Sequence, residues 1–370
     1  MSRRAPTIHD VARLAGVSTS TASRALGNYG RVSGETRDRV LSAIQELGYR
    51  PNNLARSMIT RRTNTLGIVC ADISNPFFAG VVRGVADEAE ARGYSTLLTN
   101  TYEDLGAERS AVDLLLDKQA DGLIVAPADV VEVEHLAAVQ AAGRHVVLID
   151  RPSGAIDADT VTVDDVRATQ EAVTHLLELG HRRIGILAEL KAGREADWPS
   201  YLGTGLDRDR GRLNPSAARL LGYLKAHRAA GVRPDPALIC RTGSYDADAA
   251  AAATRRLLAA PDRPTALITI DNVMTLGAFR VIHELGIDVP GELSLIGFDN
   301  LDWTTLVTPA LTVIEQPLHA IGSRAAQRLI DRIDGDQSPP GVIHLPTRFV
   351  KRDSCAAVEV SPPERTDADR

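Results

Sequence analysis

The sequence predicts an α/β protein in which a small helical module precedes a body of two lobes, each a doubly wound parallel sheet. Length is the first observation, because 370 residues suffice for roughly two or three domains. The chain from Thr65 onward also alternates unbroken, β-branched apolar runs with helical stretches, which is typical of parallel βαβ units. Those runs fall into two groups of about five, and two groups indicate two sheets.

Composition is that of an ordinary globular protein, with 44% hydrophobic and 24% charged residues. The start MSRRAPTIHDVA has no apolar run behind its arginines, so we expect no secretory signal, no membrane contact and a cytoplasmic protein. Cys70, Cys240 and Cys355 are scattered along the chain, and we expect buried small side chains rather than a metal site or a redox pair. No cofactor is expected.

Charge is distributed unevenly along the chain. Residues 1–62 hold eleven arginines and four acidic residues, a net +7, whereas the whole chain carries −6 and the remainder therefore −13. A basic segment on an acidic body favours binding of that segment to a polyanion, because the body repels the same partner. Nucleic acid is the first candidate.

The basic segment begins with two predicted short helices joined by a turn. Thr7 and Asp10 have the spacing of a capping box. Gly16 stands where the first helix must end, and Ser18 is a suitable N-cap for a second helix that starts at Thr19. The apolar residues expected to pack together are Ile8, Val11, Ala12, Ala15, Ala22, Ala25 and Leu26.

A third helix is predicted from Glu35 to Leu47, behind a Ser33 cap. Its expected packing residues repeat at helical spacing and are Val40, Leu41, Ile44 and Leu47. Three short helices around a small core form a helix-turn-helix module. The second helix displays small hydroxyl groups and Arg24, which can bond phosphates and grip a guanine. The alternative is a plain helical hairpin with a solvated polar face, which the basic charge disfavours.

Two strings in this segment, TIHDVARLAGVSTSTASRAL and VSGETRDRVLSAIQELGYRPNNLARSM, carry a dense resemblance to a known family. Nearly every position from Thr7 to Met58 resembles the head of the lactose/galactose repressor family of bacterial transcription regulators. The resemblance implies that Thr19, Ser20 and Arg24 read bases. It also implies phosphate contacts from Thr7, Ser18, Thr21, Ser23, Ser33 and Thr36, and completes the expected DNA-binding set with Arg31, Asn52, Ala55, Arg56 and Met58. Ala22 and Gly27 depart from the usual Val and Asn.

Residues 51–63 are predicted to form a hinge helix and linker between the head, residues 1–50, and the body, residues 64–354. So short a helix is unstable alone in water. The resemblance implies that it folds when two copies meet over the operator, each inserting an apolar side chain into the minor groove. Met58 stands at that position in place of the usual Leu. An ordinary linker in which Met58 has no role is the alternative.

The body is predicted to span residues 64–354 and to provide ligand binding and dimerisation, with a disordered tail at 355–370. The first lobe is expected to contain the strands TLGIVCADI, STLLTN, DGLIVAP, HVVLID and TVTVDD. The second is expected to contain HRRIGILAE, ALICR, TALITID, LSLIGFD and LTVIEQ. Doubly wound lobes bind ligands in the crevice beyond the carboxyl ends of their strands, so the cleft between the lobes is the predicted site.

Polar and aromatic residues follow several predicted strands. Acidic and guanidinium groups bond ligand hydroxyls, while a Phe ring covers the apolar face of a sugar or base. The body is similar to the same repressor family and, through it, to periplasmic sugar-binding proteins. This similarity implies effector-binding roles for Phe77, Phe78, Asp150, Arg219, Asp271 and Asp299. For any one Asp at a strand end, a helix cap is the alternative.

Three departures from the family pattern concern the effector. Asp271-Asn272 stands where Asn-Asp is usual, so an amide contact becomes a carboxylate contact. Asp164-Asp165 replaces the common Asp-Asn. The segment at 190–215, with Trp198 and Tyr201, is longer than usual and is interpreted as a lid, an oligomer contact or a surface loop.

The leading hypothesis is a sequence-specific DNA-binding repressor, a homodimer or higher oligomer on a palindromic double-stranded operator, released by a carbohydrate effector. A corepressed regulator that responds to a nucleoside or base is the alternative. An enzyme on the same scaffold is disfavoured because the sequence lacks a nucleophile elbow, a phosphate loop and a metal-ligand cluster. A periplasmic binding protein is disfavoured by the missing signal peptide and the basic head.

Overall fold

The computed structural model describes residues 6–27, 31–49, 62–190 and 213–358. The chain divides into two compact units, Met1–Thr63 and Asn64–Arg370. The predicted hinge residues Asn52, Ala55, Arg56 and Met58 lie outside the described residues. Trp198 and Tyr201 in the long 190–215 segment lie outside them as well.

The first unit contains the helices α1, Ile8–Leu14, α2, Thr19–Gly27, and α3, Gly34–Leu47. Its small core consists of Val11, Ala12, Ala15, Ala22, Ala25, Val40 and Ala43. Leu41 was predicted to pack there, but it is 49% exposed. Successive helical residues are rotated by about 100°. Because Val40 and Ala43 face the core, Leu41 lies off the buried face.

The second unit holds two sheets of six strands each among the described residues. The first sheet has the strand order β11-β5-β4-β3-β1-β2, with every neighbouring pair parallel. Its strands are β1, Thr65–Cys70, β2, Ser95–Asn100, β3, Gly122–Val125, β4, His145–Ile149, β5, Asp159–Val163, and β11, Val342–Leu345. The helices of this first lobe are α4, Pro76–Ala91, α5, Leu105–Asp117, α6, Glu134–Ala141, and α12, Leu318–Ile333.

The second sheet has the order β12-β10-β9-β8-β6-β7 and is parallel except for its β10 and β12 pair. Its strands are β6, Ile184–Ala188, β7, Ile239–Arg241, β8, Ala266–Thr269, β9, Ser294–Phe298, β10, Thr312–Glu315, and β12, Arg348–Val350. The helices of this second lobe are α7, Asp165–Glu178, α8, Pro215–Ala229, α9, Ala247–Leu258, α10, Asn272–Glu284, and α11, Trp303–Leu306, with a short 3-10 turn at Pro236–Leu238.

The chain crosses between the lobes three times, after β5, after β10 and after β11. The sequence did not predict β11 and β12. The strand β11 follows the second crossing between the lobes, and β12 follows the third. Residues on β11 alternate between exposed and half-buried, so this edge strand lacks the unbroken apolar run that marks the interior strands. The helix α12 lies C-terminal to the second sheet in the sequence, yet Ile321, Ala325 and Leu329 join the core of the first lobe.

The end of the described chain is packed, which contradicts a disordered tail that begins at 355. The Ala356 amide donates to Ser294 Oγ at 3.1 Å, and the Val358 amide donates to the Leu179 carbonyl at 2.9 Å. The buried ring of His181 completes the anchor through Thr265 Oγ1 at 2.8 Å and the Ala356 carbonyl at 3.1 Å. Burial holds the pKa of His181 below its ordinary value. The packed chain therefore extends at least to Val358.

Three remaining observations bear on the sequence predictions. Cys70 is buried, whereas Cys240 and Cys355 are half-buried. Within the ranges that the structure describes, no helix is both long and apolar enough to cross a membrane. In those same ranges no three His, Cys, Asp or Glu side chains are grouped to hold a metal ion.

Candidate functional site

The predicted base-reading residues lie on the solvent side of α2. Thr19, Ser20 and Arg24 are exposed, and the Arg24 Nε donates to the Ser20 carbonyl at 3.2 Å. This bond draws the guanidinium along the helix toward its first turn. Gly16 adopts φ +65° in the turn before α2, a conformation that favours glycine, and so directs the chain from one helix into the next. A short-side-chained, basic helix surface of this kind suits entry into a major groove.

The hydroxyl groups predicted to hold phosphates lie at helix starts, except that of Ser23, which lies in the middle of α2. Ser18 Oγ accepts from the Thr21 amide at 3.1 Å, and Ser33 Oγ accepts from the Thr36 amide at 3.3 Å. Both serines are exposed caps, where backbone N–H groups and the helix dipole favour an anion. Thr21, Ser23 and Thr36 are half-buried, whereas Arg31 is exposed.

Thr7 forms the predicted capping box, and this changes what its hydroxyl can do. Its Oγ1 donates to Asp10 Oδ2 at 2.7 Å, and its amide donates to the same oxygen at 2.9 Å. A hydroxyl has one proton to donate. The Thr7 side chain must therefore release Asp10 before it can donate to a phosphate.

The first lobe contributes Asp150 and Arg151 to the cleft, directly after β4. Asp150 is buried and adopts φ +67°, which is strained for a residue with a side chain. Arg151 forms a two-pronged ion pair with Glu103, at 2.5 and 2.6 Å, and donates to the Pro127 carbonyl at 3.0 Å. The Arg151 Nε lies 3.6 Å from Asp150 Oδ2. Arg151 thus links two parts of the first lobe, because it contacts Asp150 after β4 and Glu103 in the loop after β2.

Phe77 and Phe78 lie in the first turn of α4, after the Asn75 cap. Both rings are buried in the first-lobe core and meet edge to face, with centroids 5.0 Å apart. This packing leaves little of either ring accessible, so their predicted contact with an effector stays a prediction.

Arg219 is the central cation on the second lobe. Its Nε donates to Asp165 Oδ1 at 2.7 Å, another of its nitrogens donates to the Ile270 carbonyl, and its guanidinium carbon lies 3.7 Å above the Phe298 ring. Only 5% of the residue is exposed. Asp165 supplies the anionic partner that a buried guanidinium requires.

Asp271 and Asp299 follow β8 and β9 and play different structural roles. Asp271 caps α10, since its Oδ1 accepts from the Met274 amide at 2.7 Å, so a helix cap accounts for one of its oxygens and its effector contact stays a prediction. Asp299 adopts φ +70° and accepts at both oxygens, from Gln316 Nε2 at 2.8 Å and from Asn272 Nδ2 at 2.9 Å. Both carboxylates are buried beside the cleft.

Two hydrogen bonds cross the cleft directly. Asn75, on the first lobe, donates its Nδ2 to the Tyr245 hydroxyl at 2.6 Å and accepts at Oδ1 from Asn272 Nδ2 at 3.0 Å. Tyr245 and Asn272 belong to the second lobe, so these bonds join the lobes in the described arrangement. Sequence reasoning missed Tyr245 and Gln316 as site residues, and it noted Asn75 after the first strand without including it among the effector-binding residues. Asn75 and Gln316 follow β1 and β10, which is the same signal that identified Asp150 and Asp299.

The cleft raises the pKa of its carboxyl groups. Burial raises the pKa of Asp150 to about 6, although Arg151 and Arg219 oppose the change. Burial likewise raises the pKa of Asp271 to about 7, against the opposing effects of the Met274 amide and Arg219, and with a further rise from Asp299 and Glu189. The pKa of Asp165 also lies above its ordinary value because of burial, with Arg219 opposing. All three carboxyl groups therefore have pKa values above that of an exposed aspartate.

A basic helical head and a two-lobed body with a polar cleft define a class of protein, the ligand-controlled DNA-binding regulator. Residues 7–52 match the family model for bacterial regulatory proteins of the lacI family, and residues 173–355 match the periplasmic binding protein-like domain. Full-length similarity extends this result, because the HTH-type transcriptional repressor CytR of Escherichia coli (strain K12) is 33% identical over 360 residues, covering 96% of this chain and 97% of that protein. The chain belongs to the LacI family and is a DNA-binding transcriptional repressor with a ligand-binding body.

Solved structures give the same result for the fold. The crystal structure of the Lac repressor dimer bound to operator and the anti-inducer ONPF has a TM-score of 0.80 and 26% identity, covering 96% of this chain and all of that one (100%). A complex of the transcriptional regulator CelR with cellobiose has a TM-score of 0.67 and 30% identity, covering 94% of this chain and 99% of that one.

Proposed function

We propose that this repressor binds a palindromic operator as a homodimer and that a carbohydrate or carbohydrate derivative in the cleft releases it. The observation that carries the ligand class is the arrangement of Asp299, whose two oxygens, together with Asp150 and Asp271, offer hydroxyl acceptors at one cleft. The relatives support the proposal, since one solved neighbour is a cellobiose complex and another is a dimer on its operator.

Release follows from the bonds that cross the cleft. A ligand shifts an equilibrium only by its different affinity for the two states. A sugar that bonds Asn272 or Tyr245 competes with Asn75 for these groups. It therefore favours a lobe orientation other than the one that these two bonds stabilise. A corepressor would favour the opposite orientation and tighten operator binding, so the sign of the affinity change distinguishes the two modes. No enzymatic step is proposed for this cleft.

Asp299→Asn is expected to abolish operator release by the effector while leaving DNA binding intact. Asp299 accepts from Gln316 and Asn272 at separate oxygens, and an asparagine offers only one acceptor oxygen. The variant therefore disrupts the polar network on which the ligand would bind. The measurement is an operator mobility shift with and without added sugar. Asp302→Asn, an exposed carboxylate a few residues away, is the matched control, and a normal response in Asp299→Asn would remove Asp299 from the site.

Arg24→Ala is expected to weaken operator binding by about 1–3 kcal/mol and to relax base preference at one position. The reason is that an exposed arginine on the recognition helix can bond two guanine acceptors at once. The measurement is the affinity of the full-length protein for the operator and for single-base variants of it, at one fixed salt concentration. Arg39→Ala on α3 is the control, for which the same affinity change is expected on every sequence. An equally uniform loss for Arg24→Ala would identify a phosphate contact instead.

A further inference from the structure

Both guanidinium groups of the cleft already bond acidic partners, and the buried Arg151 Nε, which has no hydrogen bond among the described residues, lies 3.6 Å from Asp150 Oδ2. Arg151 is held by the two oxygens of Glu103, and Arg219 by Asp165. The partners are nearly as buried as the arginines, with Asp165 only 6% exposed. A phosphate or carboxylate on a ligand would have to displace one of these acids and leave it buried without a cation, which is costly. The cleft therefore disfavours anionic ligands.

The acidic side chains described at the cleft outnumber Arg151 and Arg219, because three further aspartates are present besides Glu103 and Asp165. Asp150, Asp271 and Asp299 are buried and none of them forms a hydrogen-bonded ion pair among the described residues. A second observation is independent of charge. Gln316 is only 6% exposed, its Nε2 donates to Asp299, and its Oε1 has no hydrogen-bond partner within the described part of the chain. A buried acceptor without a donor costs free energy, so this oxygen also calls for a donor from outside.

We propose that the effector is a hydroxylated amine, such as an amino sugar, whose ammonium group lies among Asp150, Asp271 and Asp299 and whose hydroxyl groups complete the remaining acceptors. This inference rests on the proposed function of the cleft. An ammonium group donates three hydrogen bonds and accepts none, which fits a surface of acceptors. It also supplies the positive charge that buried carboxylates require.

The raised pKa values of two cleft carboxyl groups support the same ligand. Burial raises the pKa of Asp271 to about 7 and that of Asp150 to about 6, so protons partly neutralise these groups when no ligand is bound. A cationic ligand replaces those protons with its own charge. A neutral sugar adds no positive charge, so the carboxyl groups remain protonated or stay buried as anions that only Arg151 and Arg219 stabilise.

Asp271 is the residue of this chain that determines the preference. Asp271→Asn removes the charge while it preserves the side-chain shape and the cap on α10, because asparagine is an equally good N-cap. Asp248→Asn is the matched control, since Asp248 lies on α9 of the same lobe and its side chain is 82% exposed.

The experiment compares glucosamine, galactosamine and mannosamine with glucose, galactose and mannose, with their N-acetyl forms and with their phosphate esters. Full-length protein is used, and binding is read from thermal shift and operator release. At least one amine is expected to bind about tenfold more tightly than its neutral counterpart, a difference of about 1.4 kcal/mol, while the phosphate esters do not bind. Asp271→Asn should remove most of that preference, and Asp248→Asn should retain it.

The possible results separate this inference from the proposed function. Binding of a neutral sugar at least as tight as that of its amine overturns the amine inference and leaves a carbohydrate-controlled repressor intact. Binding of a phosphate ester also overturns the amine inference and leaves the carbohydrate-controlled repressor intact. If no amine binds, the inference is wrong whatever else binds. If no compound of any class changes the melting temperature or the operator affinity, the proposed carbohydrate effector is overturned as well.

Discussion

Arg219→Met is expected to lower the free energy of unfolding of the body by about 3–5 kcal/mol. The side chain is almost fully buried, bonds Asp165 at 2.7 Å and stacks on Phe298 at 3.7 Å. Methionine replaces the volume and part of the ring contact, but it leaves Asp165 as a buried carboxylate without its cation. The cost arises mainly from that orphaned charge.

Urea denaturation followed by circular dichroism measures the change, with the body's unfolding transition compared between variants. Arg280→Met is the control, because Arg280 forms an exposed ion pair with Asp248 and such pairs contribute only about 0–1 kcal/mol. The double variant Arg219→Met, Asp165→Asn should recover part of the loss, since the unpaired charge is gone. A loss below about 1 kcal/mol for Arg219→Met would contradict a structural role for this ion pair.

Gly322→Ala is expected to destabilise the first lobe by about 3 kcal/mol. Gly322 lies on α12 where that helix crosses α4, and a Cβ added there would lie 1.9 Å from the Val81 carbonyl oxygen. The opposite helix approaches equally closely, since a Cβ on Gly84 would lie 2.0 Å from the His319 carbonyl oxygen. The obstructing atoms are backbone, so the helices must separate and lose the apolar contacts between them.

The same denaturation assay measures this effect, and Gly341→Ala supplies a matched control in the first lobe. A Cβ at Gly341 meets nothing within 4 Å, and its backbone does not adopt a positive φ. We expect Gly341→Ala to change the free energy of unfolding by less than about 0.5 kcal/mol. Equal stability of both variants would mean that the α4 and α12 contact yields easily. Operator release should weaken in Gly322→Ala even where the lobe stays folded, because α4 begins next to Asn75 of the cleft.

The basic helical head was predictable from the sequence because its signals are local. The Thr7 and Asp10 capping box, the Gly16 turn and the Ser33 cap all depend on residues within one or two turns. The error at Leu41 came from counting apolar residues without their rotation around the helix. The ten strands β1 to β10 were equally visible. Eight of them lie inside their sheets, where strands buried on both faces read as continuous apolar runs, whereas β2 and β7 lie at the edges.

The cleft was only partly predictable. Asp150 and Asp299 could be identified as residues at strand ends, and the structure brings both to the cleft with left-handed backbone conformations. Tyr245 carries no strand-end signal of this kind, because it lies in the loop before α9 and meets Asn75, 170 positions away, only after the lobes form. The roles of the predicted effector-binding and DNA-binding residues stay predictions.

By itself, the sequence determined the basic helical head, the acidic α/β body and the residue types that end each interior strand. Those features follow from hydrophobic periodicity, caps and charge, which act over a few residues. Only the tertiary structure decided that α12 and β11 return to the first lobe, that Asp165 neutralises Arg219, and that Asn272 links Asn75 to Asp299. The Asn272 to Asn75 bond alone joins residues 197 positions apart, and no local pattern encodes such a distance, because burial and hydrogen bonding select partners only when the whole chain is packed.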